Sequence, residues 1–541
     1  MKTLNSKIAC FWTSLFLLNL VTAGVTLGSP PAFTHGVSSG DVTNESAVLW
    51  TRVDQKALVR LEVAYDPDFG VVILRDQEKA DTETDFTVKF FPDGLAANQT
   101  LYYRFRAGND ISDTGTFKTA PIPTVSSDAT IAFSADTDGI HFPDGIHPEG
   151  APFFNNFEVL DRIREENPDV FVYLGDTIYA DSELRPLLGQ EPATTLEEFR
   201  DIYKETRSIA ALPNLLKSTS TIAIWDDHEV EDDFDGETVD PTLFANGRQA
   251  FLEYMPMVEE FEVEGEDETC AGDPLVRVFK WGRDIELYVL DERSCRSASA
   301  ELACLNDVDP GPGVTLVPDL APTLPTSIRA DLGGFGIPLN PPAGCLETLN
   351  DPNRTLLGKG QKNFLKKKLL RSEAKFKLIL NEIAMQQLYV IPYDHWEGYN
   401  AERTEVLNFI RDNNIENVIF LTTDLHTNII NEVFIDRLTD HETIAHEFIT
   451  GPVATFTFAE GITQLLGPAG VNAFNSILNF LEVDCRNNDT DSYGMFEYDA
   501  ETGEAQITLK DSAGNVVTDE IFGNPCQQTF GAAPLQLVST P

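Results

Sequence analysis

The chain has 541 residues, in which 87 Asp and Glu stand against 39 Lys and Arg for a formal charge of −48. That excess repels phosphate backbones and anionic membranes alike, and it argues against nucleic-acid binding through a basic groove. The length exceeds one ordinary hydrophobic core and predicts two domains, one of them large.

At the N-terminus, Lys2 and Lys7 precede an apolar run over residues 8–21 and the small-residue site Val21-Thr22-Ala23. This is the pattern of a secretory signal peptide over residues 1–23. The run is short for a bilayer span and no second long apolar run follows. The expectation is a secreted protein, extracellular or periplasmic, with no membrane span. Loss of the signal removes Cys10 and leaves Cys270, Cys295, Cys304, Cys345, Cys485 and Cys526, an even set for disulfides in an oxidising compartment. Loop proximity makes Cys485 with Cys526 the first expected pair. Sequons at Asn44, Asn98, Asn353 and Asn488 predict exposed acceptors wherever the source organism glycosylates secreted chains.

From about residue 33 to 118, short alternating segments such as SAVLWTRV, LVRLEVAYD and TLYYRFRAG are broken by turn residues. They predict a small β-sandwich over residues 30–124. Trp50 sits where a buried core tryptophan belongs, and Tyr102 or Tyr103 follows a GLAANQ turn in the manner of fibronectin type III modules. The stretch TAPIPT at 119–124 is a stiff linker, since each proline fixes φ and removes a donor. Beyond it, apolar strands such as TIAFS, DVFVYLG, TIAIW, FKLIL and NVIFLT alternate with helical stretches such as FEVLDRIREEN, the α/β signature. Residues 297–353 interrupt the pattern as a disulfide-pinned insertion rich in Pro and Gly. The tail from 493 to 517 returns to strands, with Ser512-Ala513-Gly514-Asn515 as a hairpin turn.

Four predicted strands end in clusters of Asp, His or Tyr, and strand C-termini are where α/β sheets place their sites. Strand 130–134 runs into Asp136 and Asp138, either of which offers an oxygen ligand. Strand 169–174 runs into Gly175, Asp176 and Tyr179; the phenol is a hard donor that suits a ferric ion, or else a packed ring. Strand 221–225 runs into Asp226, Asp227, His228 and Glu229, a crowd of like charge that a cation relieves; a helix N-cap at Asp226 or Asp227 is the structural alternative. Strand 417–421 runs into Asp424 and His426, which face one way if the chain stays extended. Asn381, after FKLIL, is a further candidate. Arg293, past IELYVLD, is placed either to clamp phosphate or to form a structural salt bridge.

In order and approximate spacing, the segments GDTIYADS, WDDHEVEDDF, LDERSCR, LLGKGQKNFLKKKL, DHWEGYNAERTEVLNFI, LTTDLHTN and HEFITGPVAT resemble those of PhoD-like alkaline phosphatases. FTHGVSSGDVTNESAVLWTRV resembles that family's N-terminal domain, so the likeness covers nearly the whole mature chain; purple acid phosphatases are similar at greater distance. The resemblance implies an α/β protein, a four-layer α/β/β/α metallophosphoesterase sandwich over 125–530 preceded by the fibronectin-III-like β-sandwich. It implies hydrolysis of small phosphate mono- or diesters on a cluster of two or more metal ions. By position, Asp136, Asp176, Tyr179 and His426 would hold Fe³⁺, with Asp176 bridging to a second ion on Asp227 and Asp424. His228 would lie beside the substrate; Arg293, from its place past IELYVLD rather than from the resemblance, is the second catalytic candidate. The family commonly has cysteine where this chain has Asp136, and glycine where it has Thr423. With no thiolate and few imidazoles in the set, Ca²⁺, Mg²⁺ or Mn²⁺ is expected beside the iron. A monomer is expected. The competing class is a catalytically inactive, calcium-stabilised secreted or surface binding protein on a phosphatase scaffold.

Overall fold

The computed structural model describes residues 30–143, 150–259, 261, 263, 269–305, 317–330, 333 and 337–531. The signal-peptide expectation for residues 1–23 lies outside them. From Pro31 onward the described residues form one compact unit.

Continuous apolar runs such as VFVYL and FKLIL become strands buried along their whole length, as parallel strands covered on both faces must be. In one sheet Ala129–Ser134, Val170–Leu174 and Ser220–Ile224 lie in parallel, Val170 opposite Ile131 and Leu174 opposite Ile224. In the second, Ile285–Val289, Phe376–Leu380, Val418–Thr422 and Ala445–Ile449 run parallel, with Leu380 opposite Leu421. Side chains alternate between faces. Leu287, Val289, Leu378, Leu380, Ile419 and Leu421 join Ile131, Phe133, Phe171 and Ile222 in the main core. Tyr288, Leu290, Ile379, Val418 and Phe420 turn the other way, onto Leu365, Leu369, Val406 and Leu407 of helices Gly358–Arg371 and Asn400–Asp412. Helices Glu158–Glu166, Leu196–Thr206 and Pro241–Tyr254 add Leu160, Ile163, Phe199, Phe251 and Tyr254 to the main core. The expected α/β/β/α sandwich is the fold.

The N-terminal β-sandwich has its own core of Val59, Leu61, Val63, Tyr103, Phe105 and Phe117, but its strands also extend the first sheet. Phe33–Gly40 pairs in parallel with Ser220–Ile224, Ser39 opposite Ser220 and Gly40 opposite Thr221. Only glycine fits at 40, because a Cβ there would stand 2.1 Å from the Pro256 carbonyl oxygen and 2.6 Å from that of Thr221. Alternation along Val48–Val53 sends Leu49 into the sandwich core and Trp50 to the opposite face. Trp50 therefore packs with the large core: its indole donates to the Glu253 carbonyl at 2.8 Å, and the Arg207 guanidinium lies 4.2 Å from its ring.

Three disulfides form: the expected Cys485–Cys526, together with Cys270–Cys295 and Cys304–Cys345. They agree with an oxidising compartment. Cys304–Cys345 pins the insertion, whose described part carries only short helices, Glu301–Cys304, Thr326–Arg329 and Cys345–Leu349. Among the described residues no helix is long and apolar enough to cross a membrane. One sequon departs from expectation: Asn488 is 1% exposed, and its amide donates to Asn475 Oδ1 at 2.6 Å.

Truncating Trp50 to alanine removes a fully buried indole, and a loss of about 3–5 kcal/mol is expected. It is read as a lower denaturant midpoint at unchanged slope.

Candidate metal centre

The chain leaves its strands through left-handed backbone at Asp136 (φ 60°), Gly175 (φ 83°) and Asp176 (φ 45°), and again at Asp424 (φ 65°) and His426 (φ 52°). Such conformations are sparsely used by non-glycine residues and cluster at functional sites. Gly175 is obligatory, since a Cβ would come within 2.6 Å of Asp226 Cβ. The Asp424–His426 segment bends: the Leu425 N–H donates back to the Thr423 carbonyl at 2.7 Å. The extended-chain argument for this pair therefore does not hold. Thr423 itself ties the sheets together, its hydroxyl donating to the Leu174 carbonyl at 2.8 Å. Glu229 performs a similar task between strand ends. It is fully buried, accepts from the Thr177 N–H and hydroxyl at 2.5 and 2.6 Å, and accepts from the Asp226 N–H at 2.9 Å.

On this frame Asp136, Asp176 and His426 bring one ligand atom each to within 4.8 Å of one another, and so do Asp176, Asp227 and His228. Asp176 belongs to both groups. The Tyr179 hydroxyl lies 3.1 Å from His426 Nε2, and its ring stacks on that of His228 at 4.1 Å. Asp424 stands outside both groups, with His395 Nε2 at 3.7 Å. Of the two acids after the first strand, Asp138 is consumed locally, accepting from the Ile140 N–H at 3.0 Å and the Ser182 hydroxyl at 2.6 Å. Asp136 is 1% exposed, and among the described residues no hydrogen bond of ordinary geometry reaches either of its oxygens. Asn381 is likewise spent, accepting from the Trp396 indole and donating to the Ile383 carbonyl.

Burial, followed by the charge of Asp226, pushes Asp136 well above the carboxylate range. Burial and the neighbouring carboxylates do the same to Asp176 and Asp424, and Asp226 rises to about 6. Burial and then Asp176 and Asp136 push the Tyr179 phenol up. Burial lowers His426 to about 4, which keeps its imidazole neutral and able to donate a lone pair. Burial opposes a charge on His228 too, but Asp227, Asp176 and Asp181 outweigh it and hold this imidazole cationic; Nδ1 meets Asp181 at 2.7 Å. Buried acids kept protonated for want of a cation, an orphaned carboxylate at Asp136 and hard oxygen donors beside one neutral imidazole suit metal ions.

Arg293 takes the salt-bridge alternative. It is fully buried, with Nε on Asp226 at 2.5 Å and both Nη atoms on Asp394 at 2.7 and 2.8 Å. The turn that carries it is fixed by Asp291, which accepts from the Arg293 and Ser294 N–H groups and from the Trp225 indole. Clamping phosphate would require breaking this bidentate pair.

Asp181, Asp233, Asp394 and His395 went unassigned in the sequence. Asp227, Asp233 and Asp394 form a third group within 4.8 Å, and Asp394 also meets Arg296 at 2.7 Å. Asp181 and Asp233 lie inside the GDTIYADS and WDDHEVEDDF segments, where the extra acids were the available signal. Asp394 and His395 lie fourteen and fifteen residues past the end of strand Phe376–Leu380, too far for strand-end reasoning, although they open the DHWEGYN segment. The site opens into a pocket of about 690 Å³ lined by Tyr179, His228, Asp394, Asp424 and His426.

Comparison with known proteins decides the lineage. Residues 147–509 match the family described as PhoD-like phosphatase, and residues 21–121 match its N-terminal domain. The chain belongs to the PhoD-like phosphatase family. Its chemistry is that of a metal-using phosphoesterase. Alkaline phosphatase D of Bacillus subtilis (strain 168) is 28% identical over 465 residues, 79% of this chain and 70% of that protein. The solved structure of PhoD superposes with a TM-score of 0.69 at 22% identity, covering 94% of this chain and 93% of that one. Purple acid phosphatase PPD1 from yellow lupin (Lupinus luteus) seeds superposes with a TM-score of 0.53 at 12% identity, covering 94% and 78%; both likenesses are of fold. Asp136 falls between the two matched segments.

The crowding has a measurable consequence in metal-stripped protein. Asp136, Asp176 and Asp424 hold protons in the fold where the unfolded chain has released them. Their contribution is full below the ordinary carboxylate value near 4 and is lost as pH rises through the raised values, with Asp226 at about 6. Asp227, held low chiefly by Arg293 and His228 against its burial, acts in the opposite sense and loses its share only in acid. Urea stability of the stripped protein should fall from mildly acidic to neutral pH, and added metal should remove the decline; a flat profile counts against the crowding.

Proposed function

We propose that the chain is a secreted, metal-dependent phosphoesterase that releases phosphate from small organic esters. The supporting observation is the position of Asp176, which joins Asp136 and His426 in one group of ligand atoms and also lies within 4.8 Å of Asp227, with the His228 imidazole alongside. In this reading Asp136, Asp176, Tyr179 and His426 would hold Fe³⁺, and Asp176 and Asp227 would hold Ca²⁺, with Mg²⁺ or Mn²⁺ as substitutes; Asp424, which stands outside both groups, would have to turn inward to join the second ion. Bound ions would polarise a phosphoryl oxygen and lower the pKa of a coordinated water.

The chain's own groups do the rest. His228, clamped through Nδ1 by Asp181, would present Nε2 to the leaving oxygen and donate a proton there, a role worth roughly 10²–10⁴ in rate. Arg293 is a positioning residue: it neutralises Asp226 and Asp394 and so holds the Asp226–Asp227 corner.

Hydrolysis of p-nitrophenyl phosphate against bis-p-nitrophenyl phosphate, with and without chelator, tests the activity and ranks monoester against diester. Turnover abolished by chelator and restored by metal is expected; no turnover of either ester in metal-loaded protein rejects the enzyme in favour of an inactive scaffold. His228→Ala should cost roughly 10²–10⁴ in kcat with metal content unchanged. Tyr179→Phe should abolish a visible phenolate-to-iron absorption, and a colourless, iron-free, active enzyme would remove iron from the assignment.

A further inference from the structure

The pocket has two unlike walls. Asp181, Glu183, Asp232 and Asp233 line one part, and Leu388, Val390, Ile391, Phe458, Ile462 and Phe474 line another. Val390, Ile391, Phe458, Ile462 and Phe474 also bound an apolar recess of about 60 Å³, which Ile337 and Ile477 help to close. Five shared residues make the recess a continuation of the pocket.

Both sides of this wall are held in place. On one, Tyr389 and Ile391 adopt left-handed backbone, φ 61° and 44°, a conformation that is an outlier for a β-branched residue and recurs at ligand clamps. Buried Glu397 enforces it by accepting from the Leu388 and Tyr389 N–H groups at 3.1 and 2.9 Å, and the Ile391 N–H donates to the Leu320 carbonyl at 2.7 Å. On the other, helices Phe458–Leu466 and Pro468–Phe480 meet through the rings of Phe458 and Phe474, 4.1 Å apart. A phosphoryl group alone leaves most of a 690 Å³ pocket unfilled; that volume matches sites for ligands of drug size, about 300–1,000 Å³. The acidic wall repels a second anionic group, whereas the apolar wall gains by losing water.

Resting on the phosphoesterase reading, we infer that the recess receives the apolar substituent, alkyl or aryl, of a phosphate ester whose phosphoryl group sits at the metal-ligand cluster of Asp176 and His426. Val390, Ile391, Ile462 and Phe474 then set specificity for the alcohol half of the substrate.

A series of n-alkylphosphonates, from methyl to octyl, tests this by calorimetry on the metal-loaded full chain. Affinity should rise about fourfold per methylene buried and level off once the recess is full. Ile462→Asn and Val390→Asn, from opposite sides of the wall and checked for native circular dichroism, should each flatten that rise. Equal affinity for all chain lengths in the unmodified protein overturns the inference while leaving the phosphoesterase reading standing, as does a rise that both folded variants retain. Failure of methylphosphonate and inorganic phosphate to bind, with no ester turned over, overturns both.

Discussion

Like charges gathered out of water organise this molecule. Asp136, Asp176, Asp226 and Asp227 are each at most 3% exposed, and two of the groups of ligand atoms they form share Asp176. Carboxylates this close cannot all ionise unless positive charge is supplied. The protein supplies part of it through Arg293 and Arg296, which serve Asp226 and Asp394. That compensation stops short of Asp136, whose oxygens accept no hydrogen bond of ordinary geometry among the described residues. The remaining charge is what a hard cation would bring, and the fold holds the acids in readiness for it.

Holding them takes a stiff frame, because repulsion would otherwise spread the strand ends apart. The two sheets are joined where it matters by the Thr423 hydroxyl on the Leu174 carbonyl and by the Trp225 indole on Asp291. Glu229 bridges the turns after two neighbouring strands. Cys270–Cys295 closes the loop that presents Arg293. The N-terminal sandwich contributes at a distance: its strands lengthen the first sheet, and Trp50 buttresses Glu253, Tyr254 and Arg207. The same arrangement fixes a direction for substrate, with acids on one wall of the pocket and the Leu388–Ile391 segment facing the Phe458–Phe480 hairpin on the other.

Strand identities and layer order were legible because they depend on local patterning. VFVYL, STIAI, FKLIL and VIFLT are too apolar to be anything but covered strands, and each was placed to within a residue or two. The acids that follow them were legible for a related reason, since a parallel strand must deliver its C-terminal residues to one edge of the sheet. Arg293 was not, because both of its candidate roles need a carboxylate or phosphate nearby, and only coordinates reveal that Asp226 and Asp394 already occupy its fork. Trp50 was legible as a buried core residue, but not the core it joins, for want of knowing which face of its strand meets which core.

By itself, then, the sequence determined the fold class, the disulfide-forming set, the family resemblance and the short inventory of oxygen and nitrogen donors at strand ends. These follow from periodicity and from residue chemistry along a few consecutive positions. The tertiary structure decided which donors converge, that Asp138 and Asn381 are spent on local hydrogen bonds, that Asp394 joins from far along the loop after strand Phe376–Leu380, and that one wall is apolar. Such outcomes depend on distances between residues tens to hundreds of positions apart, set by how two twisted sheets pack rather than by any local pattern.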